Sequence, residues 1–435
     1  MQPSPLSATL PTEESSYRWV ILTASWVTLA VTAGLVFFSL PVYLAALARE
    51  PGLPLGQLSV ATSFFYVVLG LVGVPVGRVI SRWDVRWVMS AGALLGWFGF
   101  FALGKVSTTL ELMGAYAVLA TSFAMVSFVP LTTVVFRWFR HRRGLAMTIL
   151  MSGQAAGGSV VTPVVNELIH GSGLGAVAFH LGHAYLAVAF LASVALLRPF
   201  PPAATVDGAH GHPERSSAAA EENAASAKMR GLLALCVAMS FIPCATVGTM
   251  NHLTVLGAER AIGGHAAMVP LFAVASGVGS FGVLALLRRS SATAAAGALA
   301  VMQTAAVLLL SVAFTTAPFA VGSLTLGLGL GGFLVLMPLV LLELYPARHY
   351  ARLYAKLTLW TNVGVAVGPG AIGLLHTWAG RYQIPLLLAA AAPALSAYLL
   401  RRISHGSGCS EPDGDDHGAG ERGRGHREEG QCIAT

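Results

Sequence analysis

Long apolar stretches divide the chain into twelve predicted membrane-spanning helices. The apolar core of a bilayer is about 30 Å thick, so a helix needs about 20 apolar residues to cross it. Twelve stretches satisfy this requirement, and they begin near Val20, Gln57, Trp87, Leu110, Gly144, Ala176, Gly231, Ala266, Thr293, Pro318, Leu353 and Ile384. The sixth start is the least sharply defined, because residues 171–183 are rich in glycine and histidine. The pattern predicts an all-α polytopic membrane protein.

A polar interval separates the first six stretches from the last six. Residues 199–228 are rich in Ala, Pro, Ser and Glu and show no apolar periodicity, which is typical of a disordered linker. The chain therefore falls into two six-helix halves, an arrangement known from parallel repeats in secondary transporters. The predicted parts are an N-terminal tail (1–17), a six-helix bundle (18–197), a disordered linker (198–229), a second six-helix bundle (230–402) and a disordered tail (403–435).

Composition supports a mostly membrane-embedded chain. Of the 435 residues, 55% are hydrophobic and 10% are charged, and the mean hydropathy is +0.70. A soluble domain usually carries about a quarter charged residues, so that class is excluded. The four cysteines have neither metal-binding nor disulfide-framework spacing. We therefore expect no metal and no cofactor.

The basic residues are distributed unevenly between the two predicted sides of the membrane. With the N-terminus inside, all but four of the 26 Lys and Arg residues fall in cytoplasmic segments. The four outer ones are Arg49, Lys105, Arg260 and Arg381. By the positive-inside rule, both termini are predicted to be cytoplasmic, in a plasma or bacterial inner membrane. The net charge of +7 is then a topology signal, and no nucleic-acid partner is expected.

The fifth predicted helix follows a basic loop and carries three closely spaced glycines. Gly153, Gly157 and Gly158 fall on neighbouring faces of this helix. Small residues let the backbones of two membrane helices approach closely. We expect this surface to pack directly against another helix.

The second cytoplasmic turn resembles the loop signature of the major facilitator superfamily. Residues 77–87 read GRVISRWDVRW, in which Gly77, Arg82 and Arg86 match that signature. Ser81 stands where the signature has an acidic residue, and Asp84 occupies a nearby glycine position. The resemblance implies a cytoplasmic gate, with Gly77 allowing close helix approach; the alternative is that the arginines only mark topology. The assigned gate residues are Gly77, Arg82, Asp84 and Arg86.

Three further segments resemble one branch of that superfamily. Residues 138–158, 251–257 and 350–382 look like the bacterial monocarboxylate-porter and oxalate/formate-antiporter branch. This resemblance implies proton-coupled or exchange transport of small organic anions. Members that carry carboxylates use cations in the first, eighth or eleventh helix, whereas residues 20–48 and 266–287 contain no Lys or Arg. Lys356 lies near the cytoplasmic end of the eleventh helix, so dipoles, hydroxyls and histidine are expected to hold the carboxylate.

Few polar side chains are predicted at membrane depth, and such residues are functional candidates because burying them is costly. They are Gln154, Asn251, His252, Gln303, Thr361 and Asn362. His252 is the leading candidate, since imidazole can bind an oxyanion and change protonation near neutral pH. Its alternative is a histidine in outer interfacial water. Gln154 and Asn362 would serve equally well as hydrogen bonds between helices.

Each of the other candidates has more than one predicted role or a purely structural one. Tyr43 and Tyr66 are predicted either to line a cavity or to pack. Glu167 is a second candidate for proton coupling, with interfacial solvation as its alternative. Gly368 and Pro369 are expected to loosen the eleventh helix and let it bend.

These observations predict a major facilitator fold, in which two six-helix bundles enclose one cavity. The predicted function is transport of a small organic acid by alternating access, with proton coupling or exchange. The alternatives are an exporter of a neutral or cationic metabolite or drug, and a non-transporting membrane sensor. No nucleotide-binding loop or catalytic constellation is present in the sequence, so an enzyme is not expected. The expected partners are a small solute, protons and the bilayer, and the protein is expected to be a monomer.

Overall fold

The computed structural model describes residues 17–50, 53–139, 143–195, 218–345 and 350–407. Within these ranges the protein is helical and contains no strand. Helix bounds in the first half are Tyr17–Thr32, Leu40–Leu47, Leu55–Arg82, Val85–Leu103, Thr109–Val126, Phe128–Trp138, Arg143–Ala156 and Thr162–Ala195, with π-helical stretches at Ala33–Phe38 and Gly157–Val161. Helix bounds in the second half are Ala218–Glu259, Met268–Leu287, Ala292–Val312, Thr316–Leu344, Tyr350–Ala379 and Gln383–Ser407, with a short 3₁₀ turn at His265–Ala267.

Twelve membrane spans emerge from these helices. Eleven continuous helical stretches in the described chain are long and apolar enough to cross a bilayer. The longest, Leu145–Ser193, has 49 residues and is interrupted at Gly173, whose φ of 78° and ψ of 158° are not helical. Glycine adopts this positive φ without the steric penalty that a Cβ would impose. Spans 5 and 6 lie on either side of Gly173, so the predicted twelve-helix fold is confirmed, and we number the spans 1 to 12 in chain order.

The segment predicted as a linker differs from expectation where the structure describes it. The helix of span 7 begins at Ala218, so the backbone of residues 218–229 is helical rather than disordered. Span 12 continues to Ser407, five residues into the predicted tail. The rest of the predicted linker and tails lies outside the described residues, and the domain boundaries stay predictions.

The two halves pack their helices in the same order. In the first half span 1 packs on span 5, span 2 on span 4, and span 3 on spans 4 and 6. In the second half span 7 packs on span 11, span 8 on span 10, and span 9 on spans 10 and 12. Between the halves, span 2 meets span 11 and span 5 meets span 8, which are equivalent pairs under this repeat. The chain is therefore a structural duplication.

Close backbone approach holds each half together. The expected packing surface of span 5 is confirmed, because a Cβ at Gly153 would lie 2.8 Å from the Trp26 carbonyl oxygen and one at Gly157 would overlap the Ala30 carbonyl oxygen. Gly158 faces Phe38 and also Ala273 of span 8. Here only glycine permits the observed helix separation.

The same close backbone packing at glycine recurs in the second half. A Cβ at Gly364 would overlap the Ser240 carbonyl oxygen, and one at Gly368 would overlap the Cys244 carbonyl oxygen. The spacing of four residues in span 11 equals that of Gly153 and Gly157 in span 5. Spans 1 with 5 and spans 7 with 11 are therefore matching backbone-to-backbone pairs.

The spans alternate in direction, which gives the bundle two sides. We call the side with Arg82, Arg288 and Arg402, near the ends of spans 2, 8 and 12, the basic side. The opposite side carries Arg49 and Lys105, together with the helix end at Glu259. These names are used below without assigning either side to a compartment.

We predict that Gly157→Ala destabilises the protein. The added methyl group would overlap the Ala30 carbonyl oxygen, and overpacking of this kind costs about 1–3 kcal/mol. The thermal unfolding midpoint of detergent-solubilised protein, followed by intrinsic fluorescence, should fall. Gly114→Ala is the matched control, because a Cβ at Gly114 meets nothing within 4 Å. Equal midpoints for the two variants would contradict the packing argument.

Candidate functional site

Spans 2 and 11 close the opposite side of the bundle along one continuous seam. The seam runs from Gly56 against Thr377, through Ser59 against Gly373 and Ser63 against Gly370, to Gly70 against Asn362. At its centre the Gly370 amide donates a 2.7 Å hydrogen bond to the Ser63 hydroxyl oxygen. Residues 56 to 70 cover about 21 Å of helix at 1.5 Å per residue. The two halves are thus joined over much of the membrane thickness.

The seam ends before the basic side is reached. A Cβ at Gly73 or Gly77 would meet nothing within 4 Å. In the equivalent pair of spans, Gly277 of span 8 would contact Ala155 of span 5 at 3.0 Å. Spans 2 and 11 are therefore in contact on the opposite side, whereas span 2 has no close neighbour at Gly73 and Gly77, nearer the basic side.

The predicted gate residues make local contacts in this arrangement. Asp84 caps the helix of span 3 by accepting a 3.1 Å hydrogen bond from the Arg86 amide. The same two side chains form an ion pair of 3.4 Å, while Arg82 is exposed. The expected approach of Gly77 to the other half is not observed, because the bundles are apart at this level. A gating role for these residues stays a prediction.

Asn251 and His252 of span 7 are both fully buried, with 0% exposure. Asn251 joins the two halves, since its amide nitrogen donates to the Tyr66 hydroxyl of span 2 at 3.1 Å. The same nitrogen donates to the Val247 carbonyl at 2.8 Å. The Asn251 carbonyl oxygen has no hydrogen-bond partner among the described residues. A buried acceptor without a donor is costly, so it is well suited to receive a hydrogen bond from a solute.

His252 is bonded through both ring nitrogens. Nε2 lies 3.0 Å from the Pro369 carbonyl oxygen, and Nδ1 lies 2.9 Å from the Tyr382 hydroxyl. Because a carbonyl only accepts, Nε2 carries the proton, and in the neutral ring Nδ1 accepts from the tyrosine. The alternative of a histidine in interfacial water is therefore not observed.

A chain of polar groups links His252 to the surface on the opposite side. The Tyr382 ring lies against the His376 ring with centroids 4.1 Å apart. His376 Nε2 in turn lies 2.7 Å from Glu259 Oε2, and the glutamate side chain is 36% exposed. Sequence reasoning missed Glu259, His376 and Tyr382, because each is unremarkable alone at a helix end. Only the packing of spans 7, 11 and 12 brings them together.

Aromatic side chains surround the point where the halves meet. The Phe37 ring lies edge-on to the Tyr66 ring, with the ring centroids 5.8 Å apart. The Phe38 ring lies next to the Phe272 ring of span 8, with the ring centroids 6.5 Å apart. Tyr66 thus lies where the halves meet, and its role in lining a cavity stays a prediction. Tyr43 is also buried, but its hydroxyl donates to the Leu35 carbonyl of its own span at 2.6 Å, which favours its packing role.

The remaining candidates of spans 5 and 11 are Gln154, Thr361, Asn362 and Pro369. Asn362 faces Gly70 at the end of the seam, and the neighbouring Thr361 is buried with its hydroxyl bonded to the Thr358 carbonyl at 2.9 Å. Gln154 is buried in span 5 at 6% exposure. Pro369 lies inside the helix of span 11 and offers its carbonyl to His252.

Two candidates lie elsewhere. Gln303 is buried between spans 9 and 10, where its amide donates to the Leu326 carbonyl at 3.1 Å and its side chain fills the space beside Gly329. Its contacts are therefore within one half. Glu167 is exposed on the opposite side, so the structure supports its solvated alternative.

The buried polar groups of the described chain are uncharged. They comprise Ser, Thr, Asn, Gln and His side chains, with no buried Lys, Arg, Asp or Glu. The expected lack of cations inside spans 1 and 8 extends to the described interior. Neutral hydrogen-bonding groups are left as the means of holding a solute.

A comparison with known families decides the assignment. The sequence model of the Major Facilitator Superfamily matches residues 25–337. The chain belongs to this superfamily. Its members transport solutes across membranes and are not enzymes, so the chain is a multi-pass membrane protein of a transporter family.

Curated relatives match over shorter segments. An MFS-type transporter of Gibberella moniliformis is 32% identical over 108 residues, which is 25% of this chain and 26% of that protein. Human monocarboxylate transporter 11 is 30% identical over 115 residues, which is 25% of this chain and 24% of that protein. The matches thus span about a quarter of the length of these relatives.

Solved structures match over nearly the whole chain. The nucleoside transporter NupG has a TM-score of 0.69 at 13% identity, covering 89% of this chain and 100% of that one. A bacterial homologue of the human lysosomal transporter Spinster has a TM-score of 0.67 at 14% identity, covering 90% and 98%. At these identities the likeness shows the fold.

We predict that Ser63→Cys combined with Gly370→Cys forms a disulfide across the seam. A Cβ at Gly370 would lie 3.3 Å from the Ser63 Cβ, close to the separation of about 3.5–4.5 Å found in disulfides. The protein is oxidised mildly and then cleaved at a protease site placed within residues 199–217. On a denaturing gel without reductant, the two halves should migrate together as one band. The pair Gly77→Cys and Gly370→Cys is the control and should yield two bands. Two bands for the first pair would argue against this closure.

Proposed function

We propose that the protein is a secondary active transporter of a small organic acid of the monocarboxylate type, working by alternating access with proton coupling or exchange. The observation that carries this proposal is the one-sided closure of two duplicated halves through the equivalent span pairs 2 with 11 and 5 with 8. Rocking the halves about this contact would close the basic side and open the opposite side. By the positive-inside rule we place the basic side and both termini in the cytoplasm of a cell membrane. We propose a monomer as the working unit.

Two observations support a small organic acid as the solute. The relative named human monocarboxylate transporter 11 provides one, and the buried donors at the centre of the site provide the other. The Tyr66 hydroxyl accepts from Asn251 and keeps its own proton to donate. A carboxylic acid placed here in its protonated form would accept from the Tyr66 hydroxyl and donate to the unpartnered Asn251 carbonyl oxygen.

His252 is the residue we assign to proton coupling. Its Nδ1 accepts from Tyr382 in the neutral ring, so a proton bound there reverses that hydrogen bond and leaves a buried positive charge. The ring also lies at the seam, since its Cε1 would be 3.4 Å from a Cβ at Gly373. A charge at this position weakens a closed interface unless an anion compensates it. Glu259 and His376, which are hydrogen-bonded to each other on the opposite side, contact the pair of His252 and Tyr382 through the Tyr382 ring.

One observation favours a second function. The described interior contains no buried Lys or Arg, and a neutral or cationic solute needs none. Export of a neutral or cationic metabolite or drug is therefore the alternative.

We expect purified protein in liposomes to accumulate a small monocarboxylate when an inward proton gradient is imposed. Uptake should be measured for radiolabelled monocarboxylates, dicarboxylates and neutral or cationic drugs, with and without the gradient. Protein-free liposomes correct for diffusion of the protonated acids. Movement of only neutral or cationic compounds would replace the proposed function by its alternative.

We predict that His252→Ala lowers transport of the accepted solute at least tenfold while membrane abundance stays within twofold of the parent. The reason is that the substitution removes the titratable group at the seam; a tenfold loss corresponds to about 1.4 kcal/mol. His180→Ala is the matched control, because His180 is exposed on the opposite side. Normal transport by the His252 variant would remove this residue from the mechanism.

A further inference from the structure

Spans 7 and 11 are cross-linked twice towards the opposite side, at matching positions. His252 Nε2 donates to the Pro369 carbonyl at 3.0 Å, and His376 Nε2 lies 2.7 Å from Glu259 Oε2. The two cross-links are seven residues apart on each span, from 252 to 259 and from 369 to 376. This spacing is about 10.5 Å of helix at 1.5 Å per residue. Both spans run in the same direction, so the cross-links lie at successive levels along the pair.

The Tyr382 side chain lies between these two cross-links. Its ring centroid is 5.5 Å from that of His252 and 4.1 Å from that of His376, and the residue is 1% exposed. Its hydroxyl is 2.9 Å from His252 Nδ1. The inner imidazole therefore bonds the hydroxyl of this tyrosine, and the outer imidazole supports its ring.

A short turn places the tyrosine there. Only residues 380–382 separate the helices of spans 11 and 12. Gly380 has a φ of 71°, which glycine adopts without a steric penalty, and its amide donates to the His376 carbonyl at 2.8 Å. This hydrogen bond closes the end of span 11. The position of Tyr382 is therefore fixed by the backbone as well as by ring packing.

The other groups around this cluster are uncharged or directed elsewhere. Arg260 of span 7 donates to three carbonyls at the end of span 9, and Arg381 is exposed. From span 2, the uncharged Ser59 lies against Gly373, as does the His252 ring. The described interior has no buried Lys, Arg, Asp or Glu. Among the described residues, the ionisable groups in ring contact with the tyrosine are therefore the two histidines.

The Tyr382 hydroxyl can serve both protonation states of His252. It donates to Nδ1 of the neutral ring; when Nδ1 carries a proton, the hydroxyl turns about its C–O bond and accepts instead. No heavy atom has to move. A hydrogen bond from a charged donor is roughly twice as strong as a neutral one. The hydroxyl therefore stabilises the charged ring more than the neutral ring, as long as it stays in place.

We propose that Tyr382 is a positioning residue that enables His252 to bind a proton, and that the His376 ring, anchored by Glu259, holds Tyr382 in place. The proposal rests on the proposed function only in taking this proton as the coupling proton; the positioning itself does not depend on transport. Loss of the hydroxyl, or of the ring that supports it, makes protonation of His252 harder.

The test measures the protonation of His252 directly, without a solute. Full-length protein, with its histidine rings labelled with a heavy nitrogen isotope, is placed in nanodiscs and followed by solid-state NMR. Bare and protonated ring nitrogens give separate signals, and His252→Gln identifies the signals of this ring by difference. A titration between about pH 4 and pH 8 gives the pH at which Nδ1 is half protonated.

Tyr382→Phe should lower this half-protonation pH by about one pH unit, because the charged ring loses a stronger hydrogen bond than the neutral ring does. Tyr185→Phe is the matched control. Tyr185 is similarly buried, but its hydroxyl accepts from Ser122 in the first half at 2.9 Å. Its loss should leave the half-protonation pH of His252 unchanged.

Two double variants test the support of the tyrosine ring. Both lack the same two ionisable groups, so they differ only in the side chain beside Tyr382. Glu259→Gln with His376→Ala removes the support and should lower the half-protonation pH towards that of Tyr382→Phe. Glu259→Gln with His376→Phe keeps a ring in contact and should stay close to the parent. Adding Tyr382→Phe to the first double variant should lower the value no further than Tyr382→Phe alone.

Three outcomes would overturn the positioning role. They are an unchanged half-protonation pH for Tyr382→Phe, equal values for the two double variants, and a parent His252 that stays neutral down to about pH 4. If Tyr382→Phe does not fold, the comparison of the two double variants decides.

The positioning role and the proposed function can fail separately. The expected shifts in a protein that transports no organic acid would refute the proposed function and leave the positioning role. Proton-driven uptake of pyruvate by the parent, with an unchanged half-protonation pH for Tyr382→Phe, would do the reverse.

Discussion

The approach of helix backbones without intervening side chains is the constraint on which this structure depends. Gly157 against Ala30 and Gly368 against Cys244 bring spans 1 and 5, and spans 7 and 11, into direct contact. Lipid offers helices no hydrophobic reason to associate, so close packing has to supply the attraction. Both halves use the same pairs, so the same kind of contact holds each half together.

Neutral hydrogen bonds, rather than ion pairs, join the halves at the centre. Asn251 reaches Tyr66 across the interface, and Gly370 reaches Ser63. A buried ion pair loses much of its attraction to desolvation and is strongly destabilised when one partner leaves. Neutral contacts can be exchanged one at a time at lower cost. An interface that opens repeatedly, as the proposed alternating access requires, is better built from such groups.

Sequence reasoning recovered the fold because bilayer thickness, glycine spacing and loop charge are local properties of the chain. It also selected Asn251 and His252, since a polar group in a long apolar run stands out. It included Gln303 by the same argument, although Gln303 only joins spans 9 and 10, because depth alone does not give a helix's orientation. The partners of His252 could not be predicted, since Tyr382 is 130 residues away and contacts it only after the second half has folded.

The two π-helical stretches have a consequence for the ends of their helices on the opposite side. Spans 1 and 5 each contain one, at Ala33–Phe38 and Gly157–Val161, and the two face each other through Gly34 and Gly157. A π turn holds about one residue more than an α turn, so every later residue is rotated by about 100° relative to an uninterrupted helix. The face that carries His170, and the direction in which span 1 ends at Leu47 just before Arg49, are therefore set by one surplus residue in each helix. The number of residues in each helix, rather than side-chain chemistry, brings Arg49 and His170 together on the opposite side.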